Sequence, residues 1–259
     1  MIPRCLTIAT SDSGGGAGIQ ADLKAFAAAG VYGTSALVAL TAQSTTAVTA
    51  LHALPPDFIR AQLDAIFDDI GVDAAKTGML FSRTIIETVA EFLEQHHVPL
   101  VVDPVLIASS GAQLLQDEAV ETMIERLFPL ATVVTPNLPE AETLTGLPGA
   151  PRRELAERLV ELGAAAAIVT GGHGDTAVDH LFDGRGHTEI PVERHAVAAT
   201  HGAGCTHSAT LAALLARGLP LVDATRAAAA AASEAVRNGL AEVGAGDGPV
   251  DVLNVKGRA

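Results

Sequence analysis

Leu6-Thr7-Ile8-Ala9-Thr10 runs straight into Ser11-Asp12-Ser13-Gly14-Gly15-Gly16-Ala17-Gly18, and this junction sets the fold. The short apolar run reads as a buried strand, the glycines as a loop, and Gly16 to Ala29 as the helix that the loop opens. The same unit recurs along the chain. Strands are expected at Ser35 to Thr41, Ala74 to Lys76, Pro99 to Asp103, Ala131 to Thr135 and Ala165 to Thr170. Helices are expected at Pro56 to Asp69, Arg83 to Gln95, Asp117 to Phe128 and Arg153 to Leu162. Ala177 to Phe182 and His187 to Pro191 flank Asp183-Gly184-Arg185-Gly186, a hairpin signature. Two Ala-rich helices follow, Gly204 to Ala216 and Leu221 to Leu240. Alternating β and α elements predict an α/β fold, a three-layer α/β/α sandwich around a mostly parallel central sheet. With no Pro/Gly/Ser-rich linker and no internal repeat, residues 1–259 are expected to form one domain.

Of the 259 residues, 49% are hydrophobic but only 3% aromatic, so the core must be built from Ala, Val, Leu and Ile. A net charge of −14 disfavours nucleic acid and anionic membranes as partners, because both attract a basic face. No apolar run reaches the ~18 residues of a membrane span, and Met1-Ile2-Pro3-Arg4 does not begin a signal peptide. Cys5 and Cys205 lie far apart and Cys5 opens a buried strand, so no disulfide is expected and a cytoplasmic location fits. The nine histidines are dispersed, and adjacent His96-His97 do not make a zinc site.

His201-Gly202-Ala203-Gly204-Cys205-Thr206 precedes the apolar run Ser208 to Leu215, so a glycine loop meets a helix N-terminus there. Exposed amides and the helix dipole make such a place an anion site, and the same dipole should lower the pKa of Cys205. A plain loop with a small buried cysteine reads equally well. Asn137 and Glu140 follow Thr135-Pro136 at a spacing that can orient water around Mg²⁺ or close a capping box. Asp103 ends a strand before Pro104, as a charge near a metal or as a turn starter. Thr170-Gly171-Gly172-His173-Gly174-Asp175 can cradle nucleotide phosphates or simply turn. Gln43 carries an amide that both donates and accepts, as a ring nitrogen beside an amino group requires, although solvation is its default. Gly16, Gly18 and Ala21 match a dinucleotide fingerprint, but no Asp or Glu lies between Lys24 and Asp57 to hold a ribose. A Walker A sequence is absent.

Ser11 to Lys24, Gln43, Lys76-Thr77-Gly78-Met79-Leu80, Val102-Asp103-Pro104-Val105, Thr135 to Glu140 and His201 to Thr206 together resemble the hydroxymethylpyrimidine/phosphomethylpyrimidine kinases of thiamine biosynthesis, in the ribokinase-like superfamily. The resemblance implies transfer of the ATP γ-phosphoryl group to 4-amino-5-hydroxymethyl-2-methylpyrimidine, then a second transfer onto the monophosphate. It implies that Gln43 pairs with the aminopyrimidine edge while Asp12, Ala17, Met79 and the residue at Thr10 line the pocket. Cys205 would stand where related sugar kinases carry an Asp base, with Gly202, Ala203 and Gly204 as the anion hole. Asp103 and Glu140 would serve Mg²⁺, and Asn137, Thr170 and Gly172 the nucleotide. A homodimer is also implied.

Two residues depart from the family pattern. Thr10 replaces a usual Gly beside the expected pyrimidine, and Ala203 replaces the usual Thr of the anion-hole loop. The rival readings are a pyridoxal kinase of the same superfamily and, from another class, a non-catalytic pyrimidine-binding protein.

Overall fold

The computed structural model describes residues 1–106, 117–174 and 177–258. In chain order its elements are β1 (Arg4–Asp12), α1 (Gly18–Ala28), β2 (Tyr32–Gln43), β3 (Val48–Ala53), α2 (Pro56–Ala65), β4 (Ala74–Thr77), α3 (Arg83–Leu93) and β5 (Leu100–Val102). They continue as α4 (Asp117–Arg126), β6 (Val133–Val134), α5 (Leu138–Thr145), α6 (Arg152–Glu161), β7 (Ala167–Val169), β8 (Val178–Phe182), β9 (His187–Pro191), α7 (Ala203–Ala216) and α8 (Leu221–Arg237). The strands form one sheet in the order β3-β2-β1-β4-β5-β6-β7-β8-β9. Its centre, from β2 to β7, is parallel. The antiparallel pairs lie at the edges, β3 on one side and the β8–β9 hairpin on the other. The predicted three-layer arrangement is therefore found.

Two elements differ from expectation. Strand β3 was not anticipated, because Ala50, His52 and Ala53 give Val48–Ala53 a weak alternation and the strand stays half exposed. It forms because β2 is long and turns back on itself through Ser44, whose N–H donates to Ala47 O at 2.9 Å. The single helix expected over Pro56 to Asp69 ends at Ala65 and widens into a π turn, Ile66–Ile70, closed by Gly71 at φ +77°.

Each sheet face buries a different population, as strand alternation requires. Helices α2 to α6 cover one face with Ile, Leu and Phe: Ile59, Leu63, Ile86, Phe92 and Leu159 pack on Leu6, Ile8, Leu100 and Val102. The other face meets α1, α7 and α8 through smaller side chains, among them Ala74, Val101, Val133, Ala209, Ala212 and Ala228. Small residues let these helices sit close, and it is on this face that Thr7, Lys76 and Asp103 point.

Candidate active site

Asp12 closes β1 and organises the loop after it. One carboxylate oxygen accepts the Gly14 N–H at 2.7 Å, and the other accepts those of Gly16 at 3.0 Å and Ala17 at 2.9 Å. His201 Nε2 lies 3.2 Å from the second oxygen. Burial pushes the Asp12 carboxyl up, but His201 and the amides of Ala17 and Gly14 outweigh it and hold the group below its ordinary value. Asp12 therefore faces into its own loop as an organiser. Two glycines are obligatory here: a Cβ on Gly18 would stand 2.2 Å from Thr10 O, and one on Gly202 only 1.8 Å from Gly16 O. The loop after β1 and the loop before α7 thus interlock backbone to backbone.

Gln43 ends β2 at the rim of this loop. Its backbone N–H donates to Ser13 Oγ, and Ser13 Oγ donates to its carbonyl, both at 2.8 Å. Thr41 Oγ1 donates to Gln43 Oε1 at 3.2 Å, and Gln43 Nε2 comes within 3.5 Å of His201 Nε2. Thr10 donates to Met79 O at 3.1 Å with Met79 Sδ at 3.4 Å, so the residue that departs from the family pattern is tied to Met79 beside it. Gln43, Asp12 and Ala17 come together around His201, and Thr10 of β1 and Met79, just past β4, form a second pair.

Gly202 caps α7 in the left-handed conformation, at φ 84°. Ala203 N–H already donates to Thr200 O at 3.1 Å, so it is engaged within the turn. The next two amides, of Gly204 and Cys205, belong to the first helical turn, where no backbone acceptor exists for them. Cys205 is the third helical residue, and its thiol is not acidified as the dipole argument predicts. Burial pushes it up to about 12; Lys76 pulls down, Asp103 and Asp22 push up, and the Gly18 N–H pulls down. Desolvation of a thiolate beside two carboxylates outweighs one helix terminus.

Beneath Cys205 lies a charged layer that sequence reasoning missed. Lys76, wholly buried on β4, binds Asp22 of α1 at 2.8 Å and Asp103 at 3.5 Å. Thr7 Oγ1 donates to Asp22 at 2.6 Å, and Ser208 Oγ of α7 donates to Asp103 at 2.7 Å. Burial lowers the Lys76 pKa, but Asp22, Cys205 and Asp103 outweigh it and raise the pKa overall, so the group is a fixed cation. Only the side-chain alternation along β4 hints at it: Ala74 and Lys76 share the face toward α1 and α7.

Asn137 and Glu140 form the capping box of α5: Glu140 N–H donates to Asn137 Oδ1, and Asn137 N–H to Glu140 Oε2, each at 3.0 Å. The same geometry leaves Glu140 strained electrostatically. Burial first and Asp103 second push its carboxyl up to about 8, against the amides of Asn137 and Leu106. Thr135, one strand from Asp103, has a buried hydroxyl without a partner among the described residues. Asn137 bridges to Thr170, so the ends of β6 and β7 carry the two residues side by side. Next comes the Gly171–Gly174 loop, whose carbonyls are gripped by Arg194: Nη2 reaches Gly171 O at 2.7 Å and Nη1 reaches Gly174 O at 2.6 Å. Arg152 also donates to His173 O. Asp175 lies outside the described residues. Beyond Arg194, a cavity of about 300 Å³ opens between the end of β9 and α8, lined by Val192, His195, Arg226 and Ala229.

Among the described residues no group of three or more His, Cys, Asp or Glu side chains could hold a metal, and no helix is long and apolar enough to cross a membrane. The sequence profile of the phosphomethylpyrimidine kinase family matches residues 12–251. A hydroxymethylpyrimidine/phosphomethylpyrimidine kinase of Rhizobium meliloti is 47% identical over 252 residues, covering 95% of each chain. The thiamine biosynthesis bifunctional protein ThiED of Geobacter sulfurreducens is 49% identical over 254 residues, which cover 95% of this chain and 51% of that longer one. Among solved structures, the pyridoxal kinase of Staphylococcus aureus in complex with ADP superposes with a TM-score of 0.88 at 36% identity, over 97% of this chain and 94% of that one. The interlocked loops and the lone thiol at the start of α7 thus have a family: the chain belongs to the phosphomethylpyrimidine kinases.

Proposed function

We propose that this chain transfers the γ-phosphoryl group of ATP to the hydroxymethyl of 4-amino-5-hydroxymethyl-2-methylpyrimidine and then to its monophosphate. The observation that carries the reading is the pair of open amides, Gly204 and Cys205, beside a thiol and next to the loop that Asp12 and His201 hold rigid. Phosphoryl transfer asks the protein for position and charge stabilisation more than for covalent chemistry. The two amides supply donors toward the equatorial oxygens of the moving group, and the loop fixes where the acceptor alcohol stands. Gln43 reads the aminopyrimidine edge, with Ala17, Thr10 and Met79 as walls.

Cys205 accepts a hydrogen bond from the substrate hydroxyl and aims its lone pair at phosphorus. With its own pKa at about 12 it is a directing acceptor, not a standing thiolate. That suffices where the transition state is loose and the alcohol proton leaves late. The new O–P bond forms as the bond to the β-phosphate oxygen breaks, ADP carries that electron pair away, and in the first transfer the alcohol proton passes late to an oxygen of the transferred phosphoryl group.

The residues present fit a magnesium ion. Asp103 disfavours charge on Glu140, Thr135 offers a hydroxyl without a partner among the described residues, and Mg²⁺ prefers few protein oxygens with water and phosphate completing its shell. When bound, the ion offsets charge on the triphosphate. Asn137, Thr170 and Gly172 hold the nucleotide tail, and the cavity beyond Arg194 accepts the base. A homodimer in the cytoplasm completes the reading by resemblance.

Pyridoxal is the second substrate worth testing, because a pyridoxal kinase superposes closely and Thr10 alters the pocket wall. Mass spectrometry of products from MgATP with the pyrimidine alcohol, its monophosphate and pyridoxal decides. Mono- and diphosphorylated pyrimidine are expected. Turnover of pyridoxal alone would overturn the assignment, and absence of any product in a folded sample would remove the kinase reading.

A further inference from the structure

One buried couple has no part in the chemistry described so far. His207 of α7 and Asp179 of β8 are 6% and 2% exposed, and His207 Nε2 lies 3.0 Å from Asp179 Oδ2. Among the described residues His207 Nδ1 is buried and meets no partner. The ring therefore reaches the carboxylate through Nε2.

The other oxygen of Asp179 accepts the Gly171 N–H at 2.6 Å. Gly171 O is taken from the far side by Arg194, through Nη2 at 2.7 Å and Nε at 3.2 Å. A side chain at Gly171 is excluded, since its Cβ would lie 2.6 Å from Val178 N. The first glycine of the loop is therefore fixed at its amide and its carbonyl. His207, in turn, adjoins Ser208, which donates to Asp103. Consecutive residues of α7 thus tie this helix to the carboxylates that end β5 and begin β8. Burial pushes Asp179 up, yet His207 and the Gly171 amide hold it below its ordinary value, so it works as a charged acceptor for both.

We propose that Asp179 and His207 are a positioning couple for phosphoryl transfer, one carboxylate holding the nucleotide loop and the anion-hole helix in register. The proposal rests on the reading of Gly171–Gly174 as the nucleotide loop. In-line transfer places donor and acceptor within a narrow range, and a displacement of about 1 Å can cost ~10²-fold in rate. A carboxylate shared between the donor's loop and the acceptor's helix limits that displacement directly.

The test is steady-state kinetics on His207→Phe and His207→Gln, with unfolding temperatures measured alongside. His207→Phe, which fills the space but cannot donate, is expected to lose about 10-fold or more in kcat/KM for MgATP while KM for the pyrimidine stays near wild type. His207→Gln, whose amide still reaches Asp179, is expected to recover most of that loss. Wild-type kcat and MgATP KM in His207→Phe overturn the proposal whatever its melting temperature, and so does an equal loss in both variants. Calorimetric ADP binding to Gly172→Val tests the loop reading separately, because no atom of the described residues lies within 4 Å of a Cβ built at Gly172. Loss of ADP there upholds the loop, so a wild-type-like His207→Phe then sinks only the couple. Undiminished ADP affinity sinks the loop reading and the couple with it.

Discussion

The two faces of the central sheet are built by different rules. Toward α2 to α6 the sheet presents Leu6, Ile8, Ala75, Leu100 and Val102, and large aliphatic and aromatic side chains close over them. Toward α1, α7 and α8 the helices approach on alanine, and the strands point Thr7, Lys76 and Asp103 into the gap. One face supplies stability through area removed from water; the other holds charges out of water and keeps them paired. That second arrangement is costly for a fold and useful for a kinase, since charges fixed before substrate arrives need no rearrangement in the transition state.

The contrast predicts that the polar face can lose its chemistry without losing its fold. Cys205→Ala removes a small side chain whose backbone amide remains, so the proposed anion donors persist. We expect kcat to fall by about 10²-fold, as loss of a group that aims the acceptor does, while the unfolding midpoint moves little. Turnover near wild type would remove the thiol from the mechanism and leave the amides as the only agents on α7.

Lys76→Met probes the cost of that face. The variant keeps the volume but leaves Asp22 and Asp103 buried without their cation. Breaking such a pair from one side typically costs about 3–5 kcal/mol, measurable by denaturant unfolding. A second substitution, Asp22→Asn, should return part of the loss, because it removes one of the stranded charges. Loss below 1 kcal/mol in Lys76→Met would mean that water reaches the layer, contrary to its burial.

Glu140 gives the polar face a pH signature. Its folded pKa, about 8, lies above its ordinary value of 4.5, so the native state binds more protons than the unfolded chain between those values. Its contribution is therefore fully present below pH 4.5 and is lost as pH rises toward 8. Glu140→Gln should flatten that decline in metal-free unfolding curves. Mg²⁺ should raise the midpoint at pH 8 in the wild type and not in the variant. Identical slopes in both proteins would separate Glu140 from the titration.

The apolar face was the more legible of the two from sequence. Its helices carry apolar residues at helical spacing, as Phe58, Ile59, Leu63 and Ile66 do, and caps such as Ser82 mark where they begin. The site loops were legible through glycine, which is required where backbones meet at Gly18 and Gly202. What lay hidden are partnerships between distant residues. Lys76 and Asp22 are 54 residues apart, and His207 and Asp179 are 28 apart, so no local pattern joins them. The lowered pKa expected of Cys205 is overturned for the same reason: the helix terminus is local and visible, whereas the burial that opposes it first, and the carboxylates that add to it, come from α1, the end of β5 and the packing around them. β3 was missed because an exposed edge strand needs no alternation to be held by its neighbour.

The finest test of the contrast is a pair of near-isosteric deletions, one on each face. Thr7→Val exchanges a hydroxyl for a methyl at a wholly buried position and removes the 2.6 Å hydrogen bond to Asp22. A hydrogen bond to a charged group contributes about 1.5–3 kcal/mol, and because Asp22 also holds Lys76 the loss should come with a change in kcat. Ile86→Val deletes one methylene from α3 on the opposite face, at an equally buried site. That change should cost about 0.5–1.5 kcal/mol and leave kcat and both KM values unmoved, because packing density there is not connected to any charge in the site. Matching kinetic effects in the two variants would mean that strain crosses the sheet, and the division of labour between its faces would have to be abandoned.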